Sequence, residues 1–361
     1  MIYRGRRKLL KIGAGLPLAA MLAPGLYRGA LAKGAGAAPL RVATYGGSWR
    51  DNVEKYMCAK LIQAGVKIEF IIGNPNANLA KLIAAHRQNE TPFDVMDGSP
   101  LFYRQMVNAG MLEKVDYAKL PHAKGMPAWV LQQYQVEPNW TTEGVVYNAA
   151  KFREAGVPPP EKYTDLMNPK LKGRVAYPDP AHVQHWGVTV ALAYESGGSE
   201  SNMSGAIGLI KKIDPVYYYT SSVDLAAKFG SGDIWAAPWG ASWAVRLKES
   251  GQDVAVAYTK IGDKKGALWP ATKMIIKGAQ NLQAARGYLD AYLADDSSYG
   301  FCMEVGNVPA SAEARQRMAQ NPIRKKMLLL SDAQLENAFR VQWDKIDANK
   351  WRDTWNRGIH A

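Results

Sequence analysis

Short apolar runs alternate with longer amphipathic ones along this chain, and the alternation limits the possible fold more than any other feature. The runs LRVATY, VKIEFIIG and FDVMDGS have the composition of strands, and helix-forming residues follow each of them. Strands that alternate with helices at this spacing predict a mostly parallel sheet covered on both faces. Because ligands bind at the carboxyl ends of such strands, residues 45–49 and 97–99 are expected on one rim.

The alternation is interrupted by the extended run VEPNWTTEGVVYN at residues 136–148. This run is long enough to cross between domains, and a second series of strands and helices follows it. The chain has 361 residues, 47% of them hydrophobic, so two domains with substantial cores are expected. The sequence therefore predicts an α/β protein built from two domains.

The first 32 residues have the pattern of an export signal. Basic residues at positions 4–11 precede a moderately apolar stretch, and Ala30-Leu31-Ala32 supplies small residues for cleavage. The adjacent Arg6 and Arg7 favour a twin-arginine signal, a route that carries folded proteins. An ordinary secretory signal with a basic start is the alternative. The expected location is the bacterial periplasm.

The formal net charge of +13 falls once this segment is removed. Residues 1–32 contain six basic and no acidic residues, which leaves 13 − 6 = +7. The remaining Lys and Arg are scattered through helical segments rather than clustered in one stripe, which argues against a nucleic-acid partner. A solvated basic surface explains them instead.

Residue types that carry catalysis or bind metals form no recognisable group. The five histidines have no evident nucleophile as a partner, and no G-x-S-x-G elbow or phosphate-binding loop occurs. His182 and His185 lack further metal ligands, and Tyr217–Tyr219 would alternate between the two faces of a strand. We expect no enzyme, no metal and no cofactor; a ferric-ion binder and an enzyme on the same fold are remote alternatives.

The only two cysteines are Cys58 and Cys302. In an oxidising compartment they can form one disulfide, which would tie an early helix to a late one. The alternative is a pair of buried free thiols.

Six stretches resemble the periplasmic solute-binding proteins of ABC importers, type II, and in particular their spermidine/putrescine-binding branch. The stretch DLMNPKLKGRV is the most telling, and the stretches together cover nearly all of residues 40–320 in family order. They are PFDVMDGSPLFYRQMVNAGMLEKVDYAKL, EGVVYN, LMNPKLKGRVAYPDP, PWGASWAVRLKESG, LWPATKMIIKG and VGNVPASAEAR.

The resemblance implies two α/β lobes, each a mostly parallel sheet flanked by helices, with a ligand cleft between them. Lobe 1 would take residues 39–138 and 269–310, and lobe 2 residues 139–268 and 311–361. The lobes would close by a hinge motion about the crossing segments. The implied partners are a small-molecule solute and an inner-membrane ABC permease, and the protein would be a monomer; service to a chemoreceptor remains open.

The loop after the first strand, TYGGSW, is the first expected ligand contact. Ser48 is placed to cap a helix that begins at Trp49, and Gly46-Gly47 would leave the preceding amides uncovered for an anionic or carbonyl group. The loop matches the family's first binding loop, which implies contacts from Tyr45, Gly47, Ser48 and Trp49. The alternative is an ordinary serine cap with a glycine turn.

Other candidate contacts lie at strand ends and crossings. Tryptophans at such positions can form walls that stack on flat or cationic ligands, whereas those near the C-terminus are expected in the core. The resemblance implies ligand contacts from the late tryptophans, from a serine after the third strand and from a late asparagine. The full set of these candidates is Ser99, Trp140, Asp179, Ser221, Trp239, Trp269 and Asn307. Turn formation and helix capping are the alternatives for Asp179 and Ser99.

The sequence departs from the polyamine-binding branch at its carboxylates. Pro180, Val183 and Ala271 occupy positions where that branch has acidic residues. Because a buried ammonium without a carboxylate is costly, we expect a small carboxylate-bearing or oxygen-rich solute. A polyamine, or another cationic amine such as a quaternary one, is the alternative.

Overall fold

The structure is a computed structural model that describes residues 38–359. The predicted export signal at residues 1–32 lies outside the described residues. Within residues 38–359, no helix is both long enough and apolar enough to cross a membrane.

The described chain contains thirteen strands, the first four of which lie within the runs that predict them. They are β1 (Leu40–Thr44), β2 (Ile68–Ile72), β3 (Val95–Asp97), β4 (Val136–Asn148), β5 (Ala176–Pro178), β6 (Tyr217–Tyr219), β7 (Ala236–Gly240), β8 (Val254–Ala257), β9 (Lys260–Ile261), β10 (Lys264–Lys265), β11 (Ala267–Ile275), β12 (Val308–Pro309) and β13 (Phe339–Arg340).

Helices separate most of these strands. They are α1 (Ser48–Asn52), α2 (Ala59–Gln63), α3 (Pro75–His86), α4 (Tyr103–Asn108), α5 (Ala149–Ala155), α6 (Gln184–Glu195), α7 (Ser204–Ile213), α8 (Ser222–Ser231), α9 (Ala241–Glu249), α10 (Leu282–Leu293), α11 (Asp295–Val305), α12 (Ala312–Met318), α13 (Pro322–Met327), α14 (Asp332–Glu336) and α15 (Ala348–Ile359). A π-helical turn, Val53–Met57, lies between α1 and α2.

The main sheet is mixed, and two long strands hold it together. β1 pairs in parallel with β2 and with β3, as predicted. β11 runs antiparallel to both β3 and β4, and β4 also takes β7, β8 and β12 as antiparallel neighbours. The antiparallel neighbours of β4 and β11 make the sheet less parallel than the strand–helix alternation predicts.

The second half has its own aromatic core beneath a helical layer. α6, α7 and α15 cover this core, in which Trp186 and Trp355 are buried among aliphatic side chains. Trp351 is buried as well, so the expectation that the C-terminal tryptophans are core residues is confirmed for Trp351 and Trp355. It is wrong for Trp343, which is only half-buried and precedes the C-terminal helix. The result is a two-lobed α/β architecture, as the resemblance implies.

The tentative disulfide between Cys58 and Cys302 is not formed. Both cysteines are free thiols, and both are fully buried. Burial raises the pKa of Cys58 to about 12 and also raises the pKa of Cys302, so neither is a ready thiolate. The wide sequence separation gave no information about whether the two sulfur atoms meet.

Candidate functional site

A buried carboxylate organises the end of the first-lobe sheet. Asp97, the last residue of β3, accepts hydrogen bonds from Thr44 Oγ1 at 2.6 Å and from Trp49 Nε1 at 2.8 Å. Its other oxygen accepts from Lys273 Nζ at 2.5 Å, and both charged side chains are almost fully buried. The Lys273 ammonium also lies 5.2 Å from the Trp49 ring centroid. These contacts fix the orientation of the Trp49 indole.

The loop that precedes Trp49 is open to solvent. Gly46, Gly47 and Ser48 are exposed, and Gly47 has a φ of 62°, a conformation that glycine adopts without strain. The helix cap is Gly47, with no side-chain hydrogen bond, so the prediction that Ser48 caps the helix is wrong. Tyr45 packs edge-on against Trp49 at 5.6 Å. The loop thus presents backbone donors without a side chain of its own to cover them.

A polar network joins β4 to the residue that precedes β12. Asn307 Nδ2 donates to Asn139 Oδ1 at 2.7 Å, and Thr141 Oγ1 donates to Asn307 Oδ1 at 3.1 Å. Asn139 and Thr141 are two residues apart on a strand, so their side chains project from the same face. The structure therefore brings the Asn307 side chain against β4.

The second lobe contributes an anchored tryptophan. Trp239 Nε1 donates to Ser222 Oγ at 3.0 Å, and the indole stacks on Trp243 with centroids 5.4 Å apart. His182 Nε2 lies 2.9 Å from the same hydroxyl oxygen. Burial lowers the pKa of His182 to about 4, so the imidazole is neutral at pH 7. Sequence reasoning missed this role of Ser222 and His182.

Several of the other candidates already have structural roles. Asp179 Oδ1 accepts from the Ala181 amide at 2.8 Å, and Ser221 caps α8 by accepting from the Asp224 amide. Ser99 is buried and makes no side-chain cap bond. Trp140 and Trp239 are each 1% exposed, whereas Trp269 is half-buried against Trp343. Ligand contact by these residues stays a prediction.

One carboxylate near this region escaped sequence reasoning. Glu143 projects from the same face of β4 as Asn139 and Thr141, and its side chain is 3% exposed. Its Oε1 atom is buried and has no hydrogen-bond partner among residues 38–359. Burial raises the pKa of Glu143 well above its usual value, and no cation in that part of the chain acts against the shift. The alternation of polar residues along NWTTEG was the available signal.

Comparison of the sequence with models of known protein families assigns the chain to a family. The sequence profile described as bacterial extracellular solute-binding protein matches residues 55–326, which is more than half of the chain. The chain belongs to the bacterial extracellular solute-binding proteins. The family predicted from the sequence is thereby confirmed.

Curated relatives of this solute-binding protein bind polyamines, according to their names. The putrescine-binding periplasmic protein PotF of Escherichia coli is 24% identical over 342 residues, covering 84% of this chain and 90% of the relative. The spermidine/putrescine-binding periplasmic protein 1 of Haemophilus influenzae is 22% identical over 317 residues, covering 83% of each.

Solved structures resemble this solute-binding protein along almost their whole lengths. An ABC transporter protein from Clostridium perfringens superposes with a TM-score of 0.71 at 22% identity, covering 89% of this chain and 99% of that one. A structure described as a GABA receptor gives a TM-score of 0.72 at 16% identity, covering 89% and 96%. A binding protein from A. tumefaciens in complex with agropinic acid gives 0.66 at 17% identity, covering 90% and 99%. The two-lobed fold is therefore confirmed.

Replacing Glu143 with Gln should stabilise this solute-binding protein in the absence of ligand. Burial raises the pKa of the native carboxyl above the unfolded value of 4.5. Ionisation of the unfolded chain therefore favours unfolding as pH rises above that value. The free-energy gain of E143Q over wild type should grow by up to about 1.4 kcal/mol per pH unit above pH 4.5.

Urea denaturation of both proteins between pH 4 and pH 8 measures this gain. The matched control is E200Q, because Glu200 is also buried but accepts hydrogen bonds from Tyr194 and from the Gln342 amide. The control should lose stability. A pH-independent gain for E143Q would contradict the prediction.

Proposed function

We propose that this protein is the substrate-binding component of an ABC importer. It would capture a small polar organic solute in the cleft between its lobes and deliver it to an inner-membrane permease. The observation that carries the proposal is the polar network on β4, in which Asn139 and Thr141 are hydrogen-bonded to Asn307, a residue far from both in sequence. Polar groups gathered where two lobes meet are typical of a ligand cleft.

The lobes in this proposal take residues 39–138 with 269–310, and residues 139–268 with 311–361. β4 and β11 cross between them, so bending of these two strands would open and close the cleft. The protein would act as a monomer in the periplasm after export through the twin-arginine route. Stoichiometric binding without chemical change of the solute is the expected activity.

The solute that we propose carries a carboxylate or another oxygen-rich group. The first loop offers exposed backbone donors at Gly47 and Ser48. The nearby carboxylate, Asp97, already receives three hydrogen bonds, one of them from Lys273. Asp179 is engaged in its own turn. The described rim therefore lacks the several free carboxylates that a long polyamine would need.

Binding of a polyamine is the second candidate, because the curated relatives are named for putrescine and spermidine. The similar solved structures include a GABA receptor and a complex with agropinic acid. These names include several kinds of polar solute, so binding should be tested with a set of solutes rather than with one.

Isothermal titration calorimetry of the mature protein tests the proposal with putrescine, spermidine, short carboxylates and short amino carboxylates. We expect micromolar binding of a carboxylate-bearing solute and its recovery unchanged. Replacing Asn307 with Ala should weaken that binding about threefold to tenfold, the contribution of one neutral hydrogen bond. The exposed Asn349→Ala variant is the control. Micromolar binding of putrescine or spermidine with none of a carboxylate would favour the second candidate.

A further inference from the structure

Glu143 lies in the middle of β4, beside the carboxyl end of β7, and ligands of α/β folds bind at such strand ends. In the sheet register it is paired with Gly240, the last residue of β7. Its Oε2 atom lies against α6, at 2.3 Å from the position that a β-carbon on Gly187 would occupy. Both α6 and α9 begin next to this point, after the carboxyl ends of β5 and β7.

A second unpartnered acceptor lies close by. Gln184 is one helical turn before Gly187 on α6, so the two residues share a helix face. Gln184 Nε2 lies 3.2 Å from the β-carbon position of Gly240, the neighbour of Glu143 across the sheet. The Oε1 atom of Gln184 is buried and has no hydrogen-bond partner in the part of the chain that the structure describes. Two buried acceptors without donors thus occupy one small region.

The Glu143 carboxylate fits against α6 only because a glycine lies inside that helix, and this glycine lowers helix stability. Glycine is unfavourable inside a helix, yet Gly187 lies in the first half of α6. Any side chain at that position would collide with the Glu143 carboxylate. Burial raises the pKa of the Glu143 carboxyl, and no Lys or Arg within the described residues opposes that shift. A buried acceptor without a donor lowers the stability of the protein, so its presence indicates a donor supplied by a bound ligand.

We propose that Glu143, assisted by Gln184, binds a protonated amino group of the transported solute. The proposal rests on the proposed function and specifies its solute as a primary or secondary ammonium compound. The amino group must carry N–H donors, because only these can satisfy both orphan oxygens. A quaternary amine has none. One carboxylate compensates one cation, and the exposed amides of the first loop suit an anion, so a short amino carboxylate is the expected solute class.

The link from Glu143 to the first lobe runs along β4. A β-carbon on Gly240 would lie 2.6 Å from Thr141 Cγ2, and Thr141 donates to Asn307. Asn139, at the far end of this face, has a buried Nδ2 atom for which the described residues supply no hydrogen-bond acceptor. The same strand face thus has an acceptor at its second-lobe end and an amide donor at its first-lobe end. This polarity matches a solute with opposite charges at its two ends.

Calorimetry with matched pairs of probes tests the proposal on the full mature protein. The pairs are β-alanine with propionate, and γ-aminobutyrate with butyrate, and γ-butyrobetaine provides the quaternary analogue. The wild type should bind an amino acid of the series about a hundredfold more tightly than its deaminated or quaternary partner, because the buried charge pair is then lost. In E143Q this preference should fall to within about threefold.

Two further variants separate binding from folding. E200Q removes a buried carboxylate that already has partners, and it should retain the wild-type preference. G187A places a methyl group against the Glu143 carboxylate. It should weaken binding of the amino acids about tenfold and leave the affinity for their deaminated partners unchanged. Circular dichroism checks that each variant is folded.

The outcomes distinguish this inference from the proposed function. Equal binding of an amino acid and its deaminated partner, or unchanged affinity in E143Q, would overturn the role of Glu143 and leave the capture of a carboxylate solute intact. Tight putrescine binding that E143Q abolishes would support Glu143 and contradict the carboxylate-bearing solute. If no amine in the series or among the polyamines binds, the inference fails, whether or not a carboxylate does.

Discussion

Replacing Lys273 with Met should lower the free energy of unfolding by about 3–5 kcal/mol, which is the usual cost of removing one partner from a buried ion pair. Methionine fills a similar volume but cannot donate to Asp97 Oδ1. The carboxylate would keep its hydrogen bonds from Thr44 and Trp49 but lose the bond from the Lys273 ammonium. Urea denaturation followed by far-UV circular dichroism measures the loss.

Two controls accompany the Lys273 variant. The double variant K273M/D97N removes both charges and should recover most of the lost stability, because a neutral pair no longer leaves a buried charge. Lys55→Met removes a salt bridge to Glu304 in which both side chains are about half exposed, and it should cost less than about 1 kcal/mol. If K273M were as stable as K55M, the ion pair would not have the assigned role.

Replacing Trp355 with Ala should cost about 3–5 kcal/mol, the range for truncating a large core aromatic. Trp355 is 1% exposed. Its ring lies 4.6 Å from His185 and 6.0 Å from Tyr177. The variant would leave a cavity between α15 and α6, and it would expose the His185 imidazole, which now donates to the Pro178 carbonyl and accepts from Trp351.

Guanidinium denaturation of the Trp355 variant is best compared with Trp235→Ala. Trp235 is only half-buried and stacks beneath the Arg174 guanidinium at 5.1 Å. Its truncation should cost about 1–2 kcal/mol, since less apolar surface returns to water. Equal losses in the two variants would show that α15 does not hold the second-lobe core together.

The local elements could be predicted because their causes are local. The run VEPNWTTEGVVYN predicts an extended segment at residues 136–148, and β4 spans Val136–Asn148. The direction of its neighbours could not be predicted, because antiparallel pairing with β11 depends on residues more than a hundred positions later. Strand periodicity describes the faces of a strand and contains no information about its partners.

Features of the candidate site could be predicted only where the residue type by itself restricts the local structure. The glycines of TYGGSW indicate an exposed turn, and the turn is exposed. Lys273 and Glu143 could not be recognised in this way, because a charged residue in a strand normally faces solvent. Burial of these two side chains is decided by distant elements, α10 and α6, that pack over them. The prediction that Ser48 caps the helix is wrong because the helix begins one residue earlier than predicted.

The pairing of β3 with β11 also determines when the first lobe can be completed. Asp97 and Lys273 are 176 residues apart, and the whole second-lobe series β5–β10 is made between them. During synthesis, β1, β2 and β3 leave the ribosome without the strand that completes their sheet and without the cation that balances Asp97. The first lobe is therefore the earlier to be translated but must wait for β11 to finish folding. A chain of this topology can complete its first sheet only after the whole series β5–β10 has been translated.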